Sequence, residues 1–112
     1  MLLTDLAKLI NANVITCPSS PREVACAYTC DLLSWVMAKG KPGLAWVTVQ
    51  THMNVIAIAS LHDIACIICP EGIQMEAPCV EKAEQEGIAV LFSEKTAYEI
   101  CGLLYKAGVP PV

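Results

Sequence analysis

Positive charge is scarce in this chain. Lys and Arg together number 7 against 11 Asp and Glu, Arg22 is the one arginine, and the net charge is −4. A nucleic-acid binder needs a basic footprint to neutralise phosphates, so nucleic acid is not an expected partner. Lys39 and Lys41 flank Gly40 and precede Pro42-Gly43, which reads as a solvated turn. Charge of either sign is sparse, at 16% of the 112 residues. Disordered chains are poor in hydrophobic residues, whereas this one is 55% hydrophobic. Long apolar runs are also missing. The longest, residues 55–59 and 64–69, fall well short of the roughly 18 residues of a transmembrane helix. No membrane partner is expected. Residues 1–5 lack the positive segment of a signal peptide and meet Asp5 early. The expected compartment is the cytoplasm.

A chain of 112 residues suits one domain that buries roughly two thirds of the surface exposed when unfolded. It needs no disulfide or metal to fold. The seven cysteines are an odd number and cannot all pair. In a reducing compartment most act as small buried hydrophobes. Cys17 and Cys79, beside Pro18 and Pro78, are the expected exposed pair.

Thr4 is placed to cap a first helix carrying Leu6, Leu9 and Ile10. Residues 13–16 form a short strand, and 17–21 a proline-rich turn. Residues 23–29 alternate with both faces largely apolar, as in a strand covered on both sides. Asp31 then caps a helix over 32–39 that stops at Gly40. Residues 44–49 are the next strand. The helix 55–61 is apolar nearly all round, so burial or a subunit interface is expected. A strand over 64–69 follows, then a helix from Pro78 to Glu86 that stops at Gly87. Residues 88–92 form a strand, and Ser93 caps a last helix with Ala97, Ile100, Cys101 and Leu104 on one side. From residue 44 strands and helices alternate, which makes parallel strands with right-handed crossovers. The expected fold class is α/β: a compact, three-layer-like domain with a central, mostly parallel sheet flanked by helices.

Three segments of the chain resemble a known family. They are Tyr28-Thr29-Cys30-Asp31-Leu32-Leu33-Ser34-Trp35-Val36-Met37, the run from Trp46-Val47-Thr48-Val49-Gln50-Thr51-His52-Met53-Asn54 to Ala59, and Glu81-Lys82-Ala83-Glu84-Gln85-Glu86-Gly87-Ile88. Together they look like the stand-alone DRTGG-domain proteins of anaerobic bacteria. The resemblance covers nearly the whole chain, 1–112, and implies a single α/β domain. Related domains lie in phosphate acetyltransferases and between the CBS domains of certain pyrophosphatases. The implied fold is also similar to the N-terminal domain of HPr kinase/phosphorylase. In these settings the resemblance implies a domain that is regulatory or of unknown role, and not the catalytic part. The name-giving Asp-Arg-Thr-Gly-Gly string is absent here, where Cys69-Pro70-Glu71-Gly72 follows the strand 64–69. The phosphate-cradling GxxxxGK[ST] loop is absent too.

The leading ligand-site candidate is Gln50, Thr51, His52 and Asn54, at a strand-to-helix junction. Open α/β sheets bind ligands at the carboxyl ends of strands. A helix N-terminus offers free N–H groups suited to phosphate or carboxylate. Against this stands the plain alternative that Thr51 or Asn54 caps the helix and His52 is merely exposed or packed. Tyr28, Asp31 and Ser34 form a second candidate at another strand end; Asp31 and Ser34 lie three apart, and the group can line the same mouth if the two strands are neighbours. Asp31 and Ser34 can equally be an N-cap and a solvated serine.

Cys66-Ile67-Ile68-Cys69 has CxxC spacing, but on a strand positions three apart face opposite sides. A zinc site from Cys30, Cys69 and His52 ranks well below burial of the thiols. His52 and His62 would be about 15 Å apart along one helix and cannot share a metal. His62 reads as a local cap. No metal and no cofactor are expected. The chain shows no nucleophile elbow, no Ser-His-Asp order and no set carboxylate pair, so no catalytic residue is assigned and an enzyme is not expected. Two readings remain. One is a ligand-sensing module for a small anion or nucleotide. The other is a structural homo-oligomer, a dimer, or a partner-binding subunit without a small-molecule site.

Overall fold

The computed structural model describes residues 1–18 and 20–112. Of the expected turn 17–21, Ser19 lies outside the described residues. The described chain runs α1 (Leu3–Leu9), β1 (Asn13–Thr16), β2 (Cys26–Thr29), α2 (Leu33–Lys39), β3 (Leu44–Val47), α3 (Met53–Leu61), β4 (Cys66–Cys69), α4 (Ala77–Glu86), β5 (Ala89–Phe92) and α5 (Ala97–Lys106). The strands form one sheet in the order β1-β5-β4-β3-β2. The pairs β2–β3, β3–β4 and β4–β5 are parallel, and β1 closes the edge antiparallel to β5. The mostly parallel α/β sheet is the one the alternation of elements predicted.

Two apolar layers flank this sheet. Trp46, Ile67, Cys69 and Val90 face one side, with Val36 of α2, Val55, Ile56 and Ala59 of α3, and Ala83 of α4. Ala45, Val47, Cys66, Ile68 and Leu91 face the other, with Leu6 of α1 and Ile100 and Leu104 of α5. The period of two along each strand explains this division. Trp46 and Val47, like Cys69 and Cys66, fall on opposite faces. β3 and β4 are buried at every residue, which is why they read as continuous apolar runs. At the antiparallel edge the β1 register shifts between Val14 and Thr16. The buried Thr16 hydroxyl covers the irregularity, donating to the Ile88 carbonyl at 2.6 Å and accepting from the Val90 N–H at 3.0 Å.

Several local expectations are corrected. β2 begins at Cys26 because the preceding residues pair with the N-terminal segment instead. Val24 N–H donates to the Met1 carbonyl at 2.7 Å, and Leu3 N–H to the Arg22 carbonyl at 3.0 Å. Thr4 lies inside α1, whose N-cap is Leu2 without a side-chain bond. Asp31 does not cap α2, whose N-cap is Leu32. Ser93 does not cap α5; Thr96 does, in a reciprocal capping box with Glu99. Cys79 is buried at 8% exposure, because α4 turns it onto the sheet beside Ala83. α3 begins two residues earlier than expected and is buried on one side only: Met53 is 42% and Leu61 70% exposed. Helix α4 ends as expected, with Gly87 left-handed at φ 69°.

Candidate functional site

β2 and β3 are parallel neighbours in register, Thr29 opposite Val47, so their carboxyl ends open at the same edge. Cys30 N–H continues the ladder to the Val47 carbonyl at 3.2 Å. The Trp46 indole Nε1 donates to the Cys30 carbonyl at 2.8 Å. This bond holds the segment leaving β2 against β3 and satisfies the polar end of a buried indole.

Beyond this point the two loops are joined by side chains. Asp31 Oδ1 accepts from Thr48 Oγ1 at 2.8 Å and from the Val49 N–H at 2.9 Å. Thr48 Oγ1 in turn accepts from the Gln50 N–H at 3.1 Å. The Gln50 carboxamide Nε2 donates back to the Asp31 carbonyl at 3.0 Å. Asp31 and Gln50, two of the residues singled out in the sequence, are thus in one network. Thr48, 1% exposed, is its hub and was missed. Its signal was a lone hydroxyl inside the apolar run Trp46-Val47-Thr48-Val49, where a buried polar side chain needs a partner.

The chain then enters α3. His52 is its N-cap, extended at φ −91° and ψ 174°, and makes no side-chain capping bond. The alternative cap by Thr51 or Asn54 is likewise not formed. Thr51 is half-buried and Asn54 exposed, and the first turn of α3 keeps N–H groups without a side-chain acceptor. Ser34 sits exposed in the first turn of α2 and takes no part in the network. The structure therefore brings Asp31 and Gln50 together, sets Thr51, His52 and Asn54 immediately after them, and leaves Ser34 apart.

The segments that follow β2 and β3 also carry exposed apolar side chains. Leu32 is 56%, Trp35 57%, Val49 43% and Met53 42% exposed. Burial first, then the hydrogen bond and charge of the neighbouring Cys30, hold the Tyr28 hydroxyl above its ordinary value. Burial pushes the thiols of Cys66 and Cys69 up to about 12, so neither is a thiolate near neutrality. Among the described residues no three His, Cys, Asp or Glu side chains are grouped to hold a metal. His62 is the C-cap residue of α3, with its ring against Gly40 and its Nε2 buried without a partner. A groove of about 290 Å3 lies to one side of the mouth, between β2 and α5, with Tyr28, Thr29, Cys101 and Tyr105 in its wall. No helix of the described residues is long and apolar enough to cross a membrane.

No protein-family model matches the chain. No curated protein matches it significantly. A solved structure does: the CBS and DRTGG domains of the regulatory region of Clostridium perfringens pyrophosphatase, complexed with the activator diadenosine tetraphosphate. The TM-score is 0.75 at 12% sequence identity, over 96% of this chain and 47% of that one. The chain spans about half the length of that regulatory region, and at this identity the likeness is one of fold. The five-stranded, mostly parallel sheet with helices on both faces is thus a DRTGG-like fold, in agreement with the resemblance carried by residues 28–37, 46–59 and 81–88.

Proposed function

We propose that this domain is a non-catalytic regulatory module that senses a small anionic ligand, a nucleotide, at the carboxyl ends of β2 and β3. The observation that carries the reading is the N-terminus of α3. Its first-turn N–H groups have no side-chain cap, and they follow directly on a loop fixed by the Asp31–Thr48–Gln50 bonds. Such a terminus suits a phosphate. His52, Thr51 and Asn54 stand around it. Asp31 Oδ1 is occupied by two donors, and in this reading its second oxygen accepts from a ribose hydroxyl. Ser34 would complete the rim from α2. The similar regulatory region, crystallised with a dinucleotide activator, supports a regulatory rather than catalytic role.

The test is thermal unfolding with adenine and guanine nucleotides, including diadenosine tetraphosphate. A ligand that binds only the native state adds about 2.7 kcal/mol at 100-fold over its dissociation constant. The expected result is a rise in Tm with one nucleotide that the His52→Ala/Asn54→Ala variant loses. A rise that persists undiminished in the variant would remove this site.

A second reading rests on the exposed Leu32, Trp35, Val49 and Met53. Exposed apolar side chains on the segments that follow β2 and β3 suit an interaction surface, and a homodimer through these segments would cover them. Light scattering of the parent and of Trp35→Glu separates the readings. A dimer that the substitution converts to monomer favours the second.

A further inference from the structure

At the opposite edge of the sheet, a cleft of about 180 Å3 lies at the carboxyl ends of β4 and β5, beside the start of β1. It shares no residue with the mouth described above. Its frame is held by bonds between loops. The Ser93 hydroxyl donates to the Ile10 carbonyl at 2.8 Å and accepts from the Lys95 N–H at 3.3 Å. This pins the end of α1 and sets Asn11, at φ 51°, on the rim. Across the cleft, Gly72 N–H donates to the Ser93 carbonyl and Glu71 N–H to the Lys95 carbonyl, each at 2.9 Å. Gly72 has φ 71°, and a Cβ there would lie 2.7 Å from Glu94 Oε2. Glycine is what lets this carboxylate lie against the loop backbone.

The lining selects a chemistry. Glu94 is the one ionisable side chain in it, and among the described residues no lysine or arginine joins it. Phosphate and carboxylate ligands are repelled. The other free polar groups are the carboxamides of Asn11, Asn13 and Gln74. Each offers an acceptor oxygen and two N–H donors. Ile15 and Phe92 supply apolar wall. An ammonium group would use the acceptors and leave the amide donors idle. A hydroxyl donates and accepts at once, so a ring of hydroxyls engages carboxylate and carboxamides together while its C–H face rests on Ile15 and Phe92. The volume is below the range of drug-sized ligands, which limits the occupant to one ring. We propose that this cleft binds a single uncharged sugar ring, free or as the terminal unit of a glycoside.

The experiment is a titration of 15N-labelled protein with D-ribose, D-glucose and methyl glucoside, following the side-chain NH2 resonances of Asn11, Asn13 and Gln74. Saturable shifts are expected, with a dissociation constant on the order of millimolar. Glu94→Ala should weaken binding roughly tenfold, since it removes the charged acceptor. Glu94 is exposed and makes no bond that the fold requires, so this variant folds. Glu81→Ala, on the solvated face of α4, should leave the titration unchanged. Binding of free sugars alone assigns a free monosaccharide, whereas binding of the methyl glycoside as well assigns a terminal unit. No shift with any sugar, equal affinity in Glu94→Ala, or the same resonances moving with inorganic phosphate instead would each overturn the proposal.

Discussion

Asp31 Oδ1 and Thr48 Oγ1 lie 2.8 Å apart, in a hydrogen bond that joins the loop after β2 to the loop after β3. Thr48 is the buried partner, and it also receives the Gln50 N–H. Thr48→Val keeps the shape and removes both bonds. It leaves the Gln50 N–H without its acceptor. The expected loss is about 1–3 kcal/mol, measured by urea denaturation. Unchanged stability would show that the network is not what holds these loops.

The thiols divide by burial. Cys17 is exposed, whereas Cys66 and Cys69 are fully covered and raised to about 12. With iodoacetamide at mildly alkaline pH, Cys17 should be alkylated in the native protein and Cys66 and Cys69 only after unfolding, as read by peptide mass spectrometry. The folded state holds these two protons more tightly than the unfolded chain, whose cysteines titrate near about 8.5. Stability is therefore intact below that value and falls as pH rises from there towards 12. Cys66→Ala should flatten this fall.

In α5 the bonds to Glu99 run the other way. Hydrogen bonds from the Thr96 backbone and hydroxyl hold the Glu99 carboxyl below its ordinary value. A depressed carboxylate stabilises the fold above its unfolded pKa, about 4.3, and that stabilisation is lost as pH falls further, through the folded value. Chemical denaturation at descending pH should show a smaller loss for Glu99→Gln than for the parent. Equal losses would mean that the capping box does not form in solution.

Much of the architecture was legible in local pattern. The apolar runs Leu44-Ala45-Trp46-Val47 and Cys66-Ile67-Ile68-Cys69 announce strands covered on both faces, and Pro78 and Gly87 mark the ends of α4. The caps were not legible. Asp31 and Ser93 both have the composition of an N-cap, yet each spends its side chain on a partner far along the chain. Thr48 is 17 residues from Asp31, and Ile10 is 83 residues from Ser93. Local propensity describes what a polar side chain does when only its neighbours compete for it. A fold brings other competitors.

The same division holds for the whole molecule. Residue order alone determined the class of fold, because burial on two faces, helix stops and the spacing of elements are local properties that admit few arrangements. It also placed Gln50, Thr51, His52 and Asn54 at a strand-to-helix junction. Only the tertiary structure decided that Glu23 and Val24 pair with the N-terminal segment, that Cys79 is buried, and that Thr48 is the hub between Asp31 and Gln50. It alone set Gly72 and Glu94 together in a cleft beside Asn11. Each of these depends on contacts between residues distant in sequence, and such contacts exist only once the sheet has brought the strand ends together.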